Sequence, residues 1–130
     1  MDQNEFKSTG GLKRILTALR YSTQGLSHAV RNEAAFRQEL MLCCVMVPLA
    51  LWLPLPLLEK LLLLGSLVLV LIAEIINSAI EAVVDRVSLD RHPLAGQAKD
   101  LGSAAVFMSL LWSGVLWLCL AGPALWRMLA

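Results

Sequence analysis

The sequence predicts an all-α membrane protein in which an amphipathic surface helix precedes three membrane-spanning helices. Three observations carry this. Of 130 residues, 58% are hydrophobic and only 6% aromatic, and the mean hydropathy of +0.68 is too apolar for an ordinary small soluble domain. Three apolar blocks, Leu40 to Leu58, Leu61 to about Val84 and Leu101 to about Leu120, are each long enough for about 30 Å of hydrocarbon. Two carboxylates, Glu74 and Glu81, fall inside or at the end of the middle block, where an ionisable group costs roughly 2.5–3.5 kcal/mol on insertion scales.

Ahead of the first block, Leu12, Ile15, Leu16 and Leu19 recur at helical spacing while Lys13, Arg14, Arg20 and Gln24 occupy other faces, which is the pattern of a basic helix lying on a membrane surface. This helix is expected over about 10–30, with Gly25 interrupting it and helical chemistry resuming from Ser27 into the first span. The spans are expected at about 34–58, 61–86 and 98–122, within a single membrane-embedded domain covering residues 1–130. Pro54 and Pro56, with Glu59 and Lys60, mark the first turn; the polar stretch Arg86 to Asp100 makes the second connection. Lys and Arg gather before the first span and between the second and third, whereas the first connection has only Lys60, so the positive-inside rule places the N-terminus and second loop in the cytoplasm. No removable secretory signal is expected in the charged first 39 residues.

Net charge is +1 and gives no reason to expect a nucleic-acid partner. Cys43, Cys44 and Cys119 lie in apolar runs without ligand spacing and read as packing residues in a reducing or lipid-buried setting. Trp52, Trp112, Trp117 and Trp126 read as interfacial or lipid-facing residues.

At about 100° per residue, Glu74, Asn77, Ser78, Glu81 and Asp85 share one stripe of the middle helix. From Leu61 to Ala73 a helix rises about 18–20 Å, so Glu74 is expected in the inner leaflet and Glu81, two turns on, at headgroup level. The stripe thus runs from lipid to water, where a lipid headgroup and a soluble molecule can meet. Such a stripe needs covering by protein, and the small residues Ala73, Ser78 and Ala79 on the second span and Gly102 to Ala105 on the third permit close helix approach, so a homo-oligomer is expected. Glu33, Arg37, Glu39, Lys99 and Asp100 are expected at the same level. Clustered carboxylates repel unless a cation intervenes, and hard oxygen donors with an incomplete cage suit Mg²⁺ when substrate phosphates complete its shell. Lys99, Arg14 and Arg20 are then available for phosphate oxygens. This is equipment for phosphoryl transfer, although no glycine-rich phosphate loop is present. Plainer readings stand beside it: Asp85 next to Arg86 as an interfacial cap or ion pair, Arg37 pairing with Glu33, and His92 as a surface histidine.

Three stretches, Asn32 to Glu39, Glu74 to Arg86 and Ala98 to Val106, resemble the signature segments of the small prokaryotic integral-membrane diacylglycerol kinases. The likeness extends from about Leu12 to the third span, and the core E-x-x-N-[ST]-A-[IL]-E-x-x-x-D is highly specific; the departures are the first ten residues, the proline-rich turn after Leu53 and the tail. The resemblance implies a homotrimer of the bacterial inner membrane that moves the γ-phosphate of MgATP to diacylglycerol, giving phosphatidic acid and ADP. It implies Glu74 as general base with Asn77 beside the reacting groups, and Glu33 and Glu81 as metal ligands. It implies a nucleotide site of Arg14, Tyr21, Glu33, Glu81, Asp90, Arg91, His92, Lys99 and Asp100. The lipid site it implies contains Arg14, Ala35, Phe36, Arg37, Glu39, Glu74 and Ser103. Undecaprenol is the alternative acceptor, because related small membrane kinases phosphorylate it. A small ion-coupled transporter using Glu74 and Glu81 as a relay is the alternative from another class; it requires polar residues continuing through Leu61 to Ala73, where only Gly65 and Ser66 occur. A non-catalytic membrane scaffold is the third.

Overall fold

A computed structural model describes residues 10–130. Its helices are α1 (Gly11–Asn32), α2 (Ala34–Trp52), α3 (Leu57–Val87), α4 (Pro93–Leu116) and α5 (Gly122–Leu129), with a π-helical turn, Trp117–Ala121, joining the last two. There is no strand among the described residues. Three helical stretches, Ala34–Trp52, Leu57–Val87 and Pro93–Leu129, are long and apolar enough to cross a membrane. The chain divides into two compact units, the first ending at Glu33 and the second running Ala34–Ala130.

In the first unit, α1 keeps an apolar stripe, with Leu12, Ile15, Leu16 and Leu19 all exposed. Gly25 does not interrupt it, contrary to the sequence expectation. One glycine costs about 1 kcal/mol relative to alanine, too little to stop a helix whose neighbours propagate it. The break falls at Glu33, whose backbone is extended (φ −107°, ψ 106°). Just before it the Asn32 side chain donates to the His28 carbonyl at 3.1 Å.

In the second unit, α2 stops at Trp52 rather than at Leu58, because residues preceding a proline are driven to extended backbone and Pro54 and Pro56 follow in quick succession. Pro48 is carried inside α2. Pro56 at φ −58°, ψ 152° launches α3, which therefore starts at Leu57 and takes Glu59 and Lys60 into its first turn, where the acid suits the helix dipole. Lys60 reaches back to donate to the Leu51 carbonyl at 2.6 Å, tying one side of the turn to the other. The third span begins at Pro93, earlier than the expected 98, because Pro93 sits at the first helical position and His92 caps it, accepting the Leu94 N–H on Nδ1 at 3.1 Å. Near its far end Gly122 N–H donates to the Trp117 carbonyl five residues back. Pro123, which has no N–H to give, follows directly, and the chain absorbs it with one widened turn.

The short connections make α2, α3 and α4 neighbours, and α3 packs against both others, most extensively against α4. The buried apolar cluster, Ala50, Leu53, Leu63, Leu67, Trp117, Ala121 and Ala124, lies toward the α2–α3 turn. Trp117 is thus a core residue and not the lipid-facing one expected from sequence, whereas Trp52, Trp112 and Trp126 are exposed. Of the cysteines Cys43 packs against the core, and Cys44 and Cys119 lie on the surface of the chain. About a third of the way along α3, Ser66 Oγ donates to the Leu63 carbonyl at 2.7 Å and lies 2.9 Å from Ser113 Oγ of α4, joining two buried hydroxyls across the helix pair.

Candidate functional site at the α3–α4 end

Along α3 the polar stripe passes from buried to open. Glu74 is 8% exposed. Asn77 and Ser78, one turn on, are half-buried, and Glu81 and Asp85 are exposed. The Asn77 amide donates through Nδ2 to Glu81 Oε1 at 3.2 Å, a bond allowed by the four-residue spacing. A carboxylate only accepts, so this bond sets which end of the carboxamide faces Glu81 and turns Oδ1 away. That oxygen is buried and has no hydrogen-bond partner among the described residues. It lies against Gly102 of α4, where a β-carbon would collide with it.

About three turns beyond Glu74, beside the loop at residues 88–92 that joins α3 to α4, a recess of about 560 Å³ has walls that include Asp85, Asp90, Arg91, His92 and Lys99. A second recess of about 540 Å³ against the same loop is lined by Val83, Val84, Val87 and Leu94 as well as by residues 90–92. Lys99 Nζ donates to Asp85 Oδ1 at 2.8 Å. Asp85 therefore pairs across to α4 and not with Arg86 beside it, which revises the plainer sequence reading. The two side chains are 44% and 49% exposed, so the pair adds at most about 1 kcal/mol of stability. Its effect is to hold the Lys99 ammonium against Asp85 at the wall of the recess.

The residues expected in the nucleotide site thus fall into distinct places. Asp90, Arg91, His92 and Lys99 line one recess, with Glu81 a turn before Asp85 and Asp100 exposed next to Lys99. Arg14 and Tyr21 on α1, and Glu33 at its C-terminus, belong to the first unit. Of the residues expected around the lipid, Ala35, Phe36, Arg37 and Glu39 follow one another along the start of α2. Phe36 is 3% exposed and packs inside the chain, Glu39 is half-buried, and Ala35 and Arg37 are on the surface. Ser103 is exposed on α4 next to the buried Gly102. No group of three or more metal-ligating side chains occurs among the described residues.

Sequence reasoning missed Asp85 as a wall of the recess, Gly102 as the seat of Asn77, and the Ser66–Ser113 link. A signal for Asp85 existed in its four-residue step from Glu81 along the stripe. Gly102 and Ser113 had none, since their partners lie on another helix.

A helical bundle with three membrane-length helices, carrying a buried acid and an acid–amide–lysine set toward one end, has the frame of a multi-pass integral-membrane protein. The sequence model of the family described as prokaryotic diacylglycerol kinase matches residues 20–121, and the chain belongs to that family. Similar proteins include the diacylglycerol kinase of Pseudomonas aeruginosa, 50% identical over 90% of this chain and 95% of that protein. Those of Haemophilus influenzae (45% identical; 84% and 92%) and Escherichia coli K12 (47% identical; 85% and 90%) are also similar. The match includes every site residue discussed above except Arg14, which precedes residue 20.

Proposed function

We propose that this chain is an ATP-dependent lipid kinase that transfers the γ-phosphate of MgATP to the free hydroxyl of diacylglycerol, giving phosphatidic acid and ADP. The observation that carries this is the ordering along α3 of a buried acid (Glu74), an amide-held carboxylate (Glu81) and a lysine-paired carboxylate (Asp85), in a chain of the diacylglycerol kinase family. Glu74 accepts the proton of the lipid hydroxyl as its oxygen forms the new bond to phosphorus and the bond to the ADP oxygen breaks; a positioned base of this kind contributes roughly 10²–10⁴-fold. Its burial suits a lipid alcohol that stays in the membrane. Lys99 exchanges the Asp85 oxygen for a phosphate oxygen, and Asp90, Arg91, His92 and Asp100, with Arg14 and Tyr21 of α1, complete the nucleotide site. Ala35, Phe36, Arg37, Glu39 and Ser103 border the lipid.

Glu81 and Glu33 would hold Mg²⁺, which supplies charge stabilisation to the transferring phosphoryl group. The donors fit, being hard oxygens too few for a complete protein cage.

The chain works in the bacterial inner membrane with α1 and the α3–α4 loop in the cytoplasm, since Arg86, Arg91 and Lys99 lie at that end and only Lys60 at the other. It acts as a homotrimer. Of the apolar window of each span, only 11% (α2), 33% (α3) and 22% (α4 onward) is buried within one chain, which leaves wide helix faces for neighbouring copies to cover. The Ser66 hydroxyl, committed to Leu63 and Ser113, is a helix tie, which weighs against the transporter alternative. Phosphate transfer from radiolabelled ATP in mixed micelles, with and without Mg²⁺ and with diacylglycerol or undecaprenol as acceptor, tests the reading. Label in phosphatidic acid only when Mg²⁺ is present is expected. Label in undecaprenol alone would overturn the acceptor.

A further inference from the structure

Gly102 is one of the few buried positions at this end of the bundle, and its neighbour is not apolar. A β-carbon placed there would overlap Asn77 Oδ1 and come within 3.4 Å of Asn77 Cγ and 3.5 Å of Ile80 Cδ1. By contrast, a β-carbon at Gly65 or Gly114 meets nothing within 4 Å. The Asn77 carboxamide and the Ile80 side chain thus pack directly onto the α4 backbone at this position. The same carboxamide spends its donor on Glu81 Oε1 and leaves its buried acceptor without a hydrogen bond. A buried acceptor without a hydrogen bond costs about 1–3 kcal/mol, so this rotamer persists because Glu81 holds one side of the amide and the floor at Gly102 leaves room for the other.

We infer that Gly102 is a positioning residue for the phosphate transfer: its missing side chain leaves the space that keeps the Asn77 carboxamide turned toward Glu81, and through that amide it orients the Glu81 carboxylate. The inference rests on the proposed role of Glu81 as a metal ligand. A methyl group at residue 102 pushes the amide off its seat, the bond to Glu81 is lost, and the carboxylate is free to rotate. Groups that orient a metal ligand from behind typically change metal affinity 10–100-fold when altered.

The test uses the full-length chain in mixed micelles with Mn²⁺ as the probe, read by electron paramagnetic resonance in the presence of a non-hydrolysable ATP analogue. Gly102→Ala and Asn77→Ser are each expected to weaken Mn²⁺ binding about tenfold. Their combination is expected to bind no more weakly than either alone, since the serine removes the group that the methyl displaces. Gly114→Ala is expected to bind as the parent does. Parent-like Mn²⁺ affinity in Gly102→Ala, or losses that multiply in the double variant, would overturn the inference. If Gly102→Ala does not assemble, Asn77→Ser in the same chain must restore assembly, and failure to do so overturns it equally. Glu81→Gln separates the two levels. Unchanged Mn²⁺ binding in that variant removes the ligand role and this inference with it, whereas weakened binding there beside parent-like binding in Gly102→Ala removes the inference alone.

Discussion

The end of the second unit at the α2–α3 turn and the end at the α3–α4 loop are made from the same helices and follow opposite rules. At the first, Leu53 and Leu63 are wholly buried, Ala50 and Ala124 fill the gaps between larger side chains, and Trp117 closes the cluster. At the second, apolar contacts give way to Asp85, Lys99, Asp90 and Arg91, and these residues line about 560 Å³ of open space. Between the two lies Glu74, buried on the same helix. The difference teaches that apolar packing and an open charged surface are separated along one helix, α3. Its 31 residues rise roughly 46 Å, more than the hydrocarbon thickness, so one helix can anchor a dry core and still project a charged face into water.

That division breaks most visibly at Glu74. Glu74→Gln is expected to lower kcat by about 10³-fold or more while insertion and assembly persist, checked by phosphate transfer alongside size-exclusion chromatography in detergent. Full activity would remove Glu74 as the base. At the packed end the signature is reversed. Leu63→Ala is expected to cost about 2–5 kcal/mol of stability, measured by denaturant titration in mixed micelles, with kcat per folded molecule unchanged. A loss of kcat there without a loss of stability would mean that the two ends are not independent.

Smaller effects sharpen the picture. Glu81→Gln is expected to raise the Mg²⁺ needed for half-maximal activity by roughly 10-fold or more, and an unchanged metal titration would count against its ligand role. Asp85→Asn removes the partner that holds Lys99 and is expected to alter the KM for ATP more than kcat. Its effect on stability should stay below about 1 kcal/mol, because both side chains are nearly half exposed. Trp117→Phe is expected to be the mildest, within about 1 kcal/mol of the parent in either direction. The indole N–H is buried with no hydrogen-bond partner among the described residues, so removing it sheds an unsatisfied donor while keeping most of the ring contacts.

By itself the sequence determined the parts that depend on local spacing. Apolar length specified three spans, the period of Leu12, Ile15, Leu16 and Leu19 specified the surface helix, and the 3.6-residue repeat put Glu74, Asn77, Glu81 and Asp85 on one face, because each of these is a property of a single helix. Helix ends were legible only approximately: Pro54 and Pro56 stopped α2 earlier than apolarity suggested, His92 and Pro93 started α4 sooner, and Gly25 was too weak a breaker to part α1. Only the tertiary structure decided which residues meet across helices. It gave Lys99 to Asp85 instead of leaving the acid to Arg86, set Gly102 beneath Asn77, joined Ser66 to Ser113 and drew Trp117 inward. Such pairings depend on the rotation and register of one helix against another, which the packing of whole faces sets and no periodicity within one segment encodes.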